Sequence, residues 1–180
     1  AYTEALNYKD KNVFVVGGAN SAAQGALYLS RFASKVAVLI RAHEPTASKY
    51  LVDALSTNAK IEMLLDTDLV EVKGTTTLEQ ITVKNTQTNE VQTFDAAAMF
   101  VFIGVRPQST VVKDLVMCNE KGYIFTGPDL MVDKKPPHGW TLERDPFLLE
   151  PSTPGIFAAG DVRYGTTHRV ASDATRWEVP

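Results

Sequence analysis

The sequence predicts an α/β fold, a three-layer arrangement on a parallel sheet with an antiparallel β-meander inserted before the last strand. Three observations predict it. Val13-Phe14-Val15-Val16 is a short β-branched and aromatic run that ends in glycines, and Val36 to Ile40 is a second buried run. Between them lies a stretch with helical periodicity, so strand, helix and strand form a βαβ unit of about thirty residues, parallel and right-handed. Beyond residue 68 the apolar runs shorten and are separated by turn chemistry, which is the signature of hairpins.

Each element follows from its pattern. From Ser21 to Ala33, the residues Ala22, Ala26, Leu29 and Ala33 recur at helical spacing, giving a flat small-residue face suited to close packing on a sheet. A second helix is expected over Ala47 to Ser56 and a third strand over Ile61 to Leu64. Leu69 to Val72, Leu78 to Val83 and Val91 to Phe94 read as the meander, split by Lys73-Gly74-Thr75 and Gln87-Thr88-Asn89. Met99 to Ile103 returns to the parallel sheet. Gly104 to Pro107 reads as a boundary. Asp133 to Gly139 reads as a loop, either a lid or partner contact or a solvated connection. Gly155 to Ala159 reads as a strand.

Bulk properties exclude several classes. Hydrophobic residues make up 44% of the 180 and charged residues 22%, the balance of an ordinary globular protein. A net charge of −3 offers no basic footprint for nucleic acid. No run reaches the roughly eighteen apolar residues of a membrane span, and Ala1 to Lys11 lacks the layout of a signal peptide. Cys118 is the one cysteine, so no internal disulfide or metal cluster is expected. A cytoplasmic location is the expectation.

Gly17-Gly18-Ala19-Asn20-Ser21-Ala22 follows a strand and opens a helix, the setting a dinucleotide turn requires. Gly17 allows the tight turn, Ala22 lets helix and strand approach, and the helix N-terminus offers bare N–H groups to a pyrophosphate. Ala19 stands where glycine lets the backbone reach the phosphates, a departure that weakens binding or moves the ligand outward. A tight turn in another α/β protein is the alternative. At the end of the second strand stands Arg41, where an NAD-preferring site carries Asp or Glu. A guanidinium there pairs with a 2′-phosphate, so NADP(H) is favoured over NAD(H); a plain surface arginine is the alternative. The domain reads as Rossmann-like.

Several segments together resemble the thioredoxin-reductase-like pyridine nucleotide-disulfide oxidoreductases. They are Gly17 to Val36, Phe100 to Pro107 with Gly104, Thr153 to Val162, and His168 to Ala171. The resemblance implies an NAD(P)-binding domain over residues 1–107. It also implies the C-terminal portion of a split FAD-binding domain over 108–180. It implies hydride transfer from NADPH to FAD, with Gly17, Gly18, Ala19, Asn20, Ser21 and Ala22 facing the NADPH pyrophosphate and Arg41 the 2′-phosphate. Gly160 and Asp161 would meet the flavin ribityl chain, and Arg169, Val170 and Ala171 would lie near the isoalloxazine or its phosphate region; on residue type alone Asp161 is a turn residue. Relatives are commonly homodimers. Thr126 to Leu130 and Arg163 mark an atypical branch.

Departures matter as much. The N-terminal FAD half and the Cys-x-x-Cys pair have no counterpart in this sequence, and Asp173 to Pro180 replaces a glycine-containing helix. The expectation is a fragment or one piece of an assembly, with no assigned catalytic residue, NADP(H) binding, and FAD held only in the full-length context. Whether this chain is itself an enzyme stays open. A non-catalytic dinucleotide-binding or regulatory module, or a degenerate remnant, are the other readings.

Overall fold

The computed structural model describes residues 3–133 and 135–166. They form two compact units, meeting in sequence at Ile103 and Gly104. The first unit contains β1 (Asn12–Val16), α1 (Asn20–Leu29), β2 (Lys35–Leu39), α2 (Lys49–Ser56), β3 (Ile61–Leu64), β4 (Thr67–Gly74), β5 (Leu78–Asn85), β6 (Val91–Asp95) and β7 (Ala98–Val101). Four strands make a parallel sheet in the order β3-β2-β1-β7, and β4-β5-β6 make a separate antiparallel sheet. The fold is the expected Rossmann-like α/β arrangement with an inserted meander.

The strand alternation explains the three layers. Side chains of a strand point to opposite faces in turn. In β1, Val13 and Val15 join a core with Ala22, Ala23, Ala26 and Leu29 of α1 and Leu51 and Leu55 of α2. Phe14, between them, points the other way, into a core with Ala37, Leu39, Ile81 and Val83. Helices therefore cover one face and the meander the other. A strand buried on both faces needs apolar residues at every position, which is why Val13 to Val16 and Val36 to Ile40 show no alternation in sequence.

Two elements differ from expectation. Helix α1 ends at Leu29, and Ala33 is buried from a turn instead. Arg31 and Phe32 donate their N–H groups three residues back, to Tyr28 and Leu29, tightening the end. The Ser30 hydroxyl donates to the Leu27 carbonyl at 2.8 Å and accepts from Asn58 at 3.0 Å, joining the ends of the two helices. The second difference is that Gly155 to Ala159 forms no strand. Here the N–H of Gly155 donates to the Glu150 carboxylate at 2.9 Å, and that of Ala158 to the Leu149 carbonyl. Those donors are spent within a local wrap around Glu150, so no ladder forms.

The second unit has a small core of Val116, Ile124 and Ala158, with isolated pairings of Ile124 to Cys118 and to Arg163. Its anchors are charged. The Glu150 carboxylate has no solvent exposure and accepts from both terminal nitrogens of Arg144, at 2.6 and 3.0 Å. It also accepts from the N–H groups of Phe147 and Gly155. The Arg144 hydrogen bonds, and secondarily the two backbone donors, hold its pKa down to about 2 against the cost of burial. The Arg144 guanidinium lies over the Phe147 ring, 3.9 Å from its centre. Val132 and Lys135 form an isolated antiparallel bridge at the start of the expected 133–139 loop. No helix among the described residues is long and apolar enough to cross a membrane.

Candidate functional site

The carboxyl ends of β1 and β2 carry the residues singled out from sequence. Strand β1 sits between β2 and β7, and the chain leaves it in one direction and returns on the other. Such a switch point opens a crevice at the strand ends, where ligands of open α/β sheets bind. Gly17 is the first residue beyond β1 and its N–H donates to the Leu39 carbonyl at 3.0 Å. Its φ of +139° is disfavoured for any side chain, and a Cβ there would run into the Phe102 carbonyl oxygen. That same Cβ would lie 3.2 Å from the Ala22 methyl. Gly17 and Ala22 thus lie against each other where the strand turns into the helix.

Helix α1 begins at Asn20, with Ala19 as its extended N-cap residue and no side chain capping it. Ala19, Asn20 and Ser21 are exposed, while Ala22 is buried. The uncapped start of α1 thus stands among exposed residues, at the positive end of the helix dipole.

The loop after β2 is tied to this turn. The Gly18 carbonyl accepts from the N–H groups of Thr46 and Ala47, at 2.8 and 2.9 Å. The Asn20 side-chain oxygen accepts from the Ser48 N–H at 2.8 Å. Arg41, within that loop, is 81% exposed, and its Nε lies 3.3 Å from the Asp68 carboxylate. His43 Nδ1 lies 2.9 Å from Asp66, and this hydrogen bond raises the imidazole pKa above its usual value. Asp66 is held in place at φ 50°, with its N–H on Ala42 and its carbonyl accepting from Thr86. Neither acidic partner is evident in the sequence, since Asp66 stands on the β3–β4 connection and Asp68 near the start of β4, 23 and 27 positions away.

Helix α1 also carries a glycine that sequence reasoning left without a role. A Cβ on Gly25 would come within 2.9 Å of the Phe102 ring. Phe102 thus fits against two glycines, one through its carbonyl and one through its ring.

The remaining candidates lie in the second unit. Gly104 opens it, with open space around its α-carbon. Gly160 has φ +80° and starts a 3-10 turn over Gly160–Val162 that includes exposed Asp161. Arg163, which follows, is buried and donates from Nε to the Thr126 hydroxyl at 2.8 Å. The two features that marked an atypical branch, Arg163 and the Thr126 segment, therefore touch each other. Arg169, Val170 and Ala171 lie outside the described residues. Among the described residues no three His, Cys, Asp or Glu side chains cluster as a metal site would require. One cleft beside the meander is lined by Asn12 and Lys35, at the amino ends of β1 and β2, and by Glu62 and Phe94.

A profile of the pyridine nucleotide-disulphide oxidoreductases matches residues 1–176. The chain belongs to that family. Among curated relatives, thioredoxin reductase of Dictyostelium discoideum is 35% identical over 156 residues, 87% of this chain and 43% of that protein. That of Spironucleus barkhanus is 33% identical, covering 98% of this chain and 55% of its own length. Among solved structures, Lactococcus lactis thioredoxin reductase (FR conformation) superposes with a TM-score of 0.72 at 25% identity, covering 96% of this chain and 51% of its own. This family member is thioredoxin-reductase-like, and it spans about half the length of the relatives it matches.

Proposed function

We propose that this chain is the NAD(P)H-binding portion of a thioredoxin-reductase-like flavin oxidoreductase and binds NADPH at the glycine turn. The observation that carries this reading is the open start of α1 at the switch point of the sheet, tied through Gly18 and Asn20 to the loop that bears Arg41. A dinucleotide has two features a protein must meet, a diphosphate and an adenosine end. The uncapped start of α1 suits the diphosphate, because helix dipole and N–H groups both favour an anion there. Arg41, at the end of the neighbouring strand, suits a 2′-phosphate. Gly17 keeps the backbone close enough to β7 for the crevice to exist.

When bound, NADPH would supply a hydride and FAD would accept it. The residues toward a flavin are Gly160 and Asp161, a carboxylate after a glycine with positive φ, suited to accept from a polyol hydroxyl. Val111, Leu115, Met117 and Phe157 of the second unit are exposed apolar side chains, a surface that a fuller flavin domain would cover. FAD retention is therefore assigned to the full-length context. With Cys118 as the sole cysteine of the sequence, the dithiol exchange of a disulfide reductase is not assigned to this chain.

Calorimetric titration with NADPH and NADH tests the reading. Binding of NADPH is expected, and Arg41→Ala is expected to cost roughly 1–2 kcal/mol for NADPH and less for NADH. Failure of both dinucleotides to bind at millimolar concentration would overturn it.

A further inference from the structure

Within the first unit, the partner that Arg41 already has bears directly on which dinucleotide the chain prefers. Asp68 opens β4, and its carboxylate lies 3.3 Å from Arg41 Nε. Both side chains are substantially exposed, at 81% for Arg41 and 45% for Asp68. The carboxylate therefore shares the solvent region into which the guanidinium projects. From the reading given above, we propose that Asp68 is a specificity-determining residue that offsets the NADPH preference conferred by Arg41, leaving a site that accepts NADH as well.

Three physical effects act in the same direction. Asp68 occupies one edge of the guanidinium, so a 2′-phosphate must displace it or approach by the terminal nitrogens alone, which weakens bidentate pairing. Its negative charge repels a phosphate bearing nearly two negative charges, whereas NADH brings a neutral ribose hydroxyl to the same place. A carboxylate at this position also accepts a hydrogen bond from a ribose 2′-hydroxyl, the role that an acidic residue after the second strand serves in NAD-preferring sites. Here the acid comes from the start of β4 rather than from the end of β2, so the site holds both the arginine and the carboxylate.

The fold keeps Asp68 there. Thr67 donates its N–H to the Ile40 carbonyl and Asp66 donates to Ala42, which fastens the start of β4 alongside the loop of Arg41. Asp68 pairs in register with Lys84 of β5. Directly opposed residues of an antiparallel pair have neighbouring side chains, so Lys84 offers Asp68 an alternative cation when Arg41 turns to a phosphate. The neighbouring cation His43 is committed to Asp66, which leaves Arg41 and Asp68 as the pair that the 2′ position meets.

The test measures Kd for NADPH and for NADH by calorimetry at low ionic strength, using the full chain as wild type, Asp68→Asn, Arg41→Ala and the double variant. Asp68→Asn is expected to tighten NADPH and loosen NADH, moving their affinity ratio five- to tenfold toward NADPH. Arg41→Ala is expected to move the ratio the other way. Against Arg41→Ala, the double variant is expected to tighten NADPH by less than Asp68→Asn does against wild type, because the charge repulsion is relieved but no guanidinium remains to be released. Asp68→Ser, which also removes the charge, should reproduce the Asn result, and circular dichroism should show each variant folded. If both dinucleotides bind but the ratio stays within twofold of wild type in Asp68→Asn and Asp68→Ser, the role of Asp68 is refuted while the site stands. If neither binds the wild type, the site itself is refuted.

Discussion

At the scale of single residues, backbone geometry and buried charge set the strongest constraints. Gly17 has both a positive φ and a carbonyl where a methyl would go. Gly17→Ala is therefore expected to destabilise the first unit by about 2–4 kcal/mol in urea denaturation, combining steric and conformational cost. His43 titrates above its ordinary value because of Asp66. The contribution of this pair to stability is present below the unfolded histidine pKa and is lost as pH rises through the folded one. Asp66→Asn is expected to move the His43 midpoint downward in an NMR titration. Glu150 has the opposite sign, with its pKa held at about 2 against an ordinary 4.5. Its contribution, on the order of 3 kcal/mol, is present above pH 4.5 and is lost as pH falls toward 2. Glu150→Gln should remove that acid-sensitive part of the unfolding profile and weaken the second unit at neutral pH.

At the scale of elements, the sequence makes the regular parts legible and leaves the cross-chain pairs hidden. Strands β1 and β2 are recognisable because both faces are buried, and the meander because Lys73-Gly74-Thr75 and Gln87-Thr88-Asn89 are turn chemistry. Helix α1 was readable from its small face, yet its end was not, since Ser30 and Asn58 meet only in three dimensions. Gly155 to Ala159 looks like a strand because it is apolar, but Glu150 takes the donor that a ladder needs. At the candidate site, Gly17, Ala22 and Arg41 were readable from position in a motif. Asp68 and the packing role of Phe102 were not, because each acts on a residue tens of positions away. The meander has its own energetic weight: Ile81 is fully buried between the two sheets. Ile81→Ala is expected to cost about 2–5 kcal/mol, measured by chemical denaturation, more than truncation of exposed Val70.

At the scale of the whole molecule, two units of different construction share one chain. The first rests on two apolar cores and the second on a small core with charged anchors. Substitutions in one unit are expected to add independently to those in the other, provided they share no partner. Ligand linkage offers a direct check on where the dinucleotide binds. NADPH at one hundred times its Kd should raise unfolding stability by about 2.7 kcal/mol. Hydrogen exchange should show that protection centred on residues 17–25 and 40–48, with Lys135 to Glu150 unchanged.

Phe102 lies at the far end of a long excursion: the chain makes β1 early, builds the whole meander, and only then lays β7 beside it. The Phe102 N–H donates to the Val16 carbonyl at 2.7 Å, and its own carbonyl packs against Gly17. A turn made from the first twenty residues is thus completed by the hundredth. On the ribosome this segment emerges long before its closing partner, so early nascent chains should hold a loose loop there, and contacts this distant form slowly. Chains arrested before Phe102 clears the exit tunnel should pass unretained over an immobilised adenosine bisphosphate, and those arrested well after it should be held.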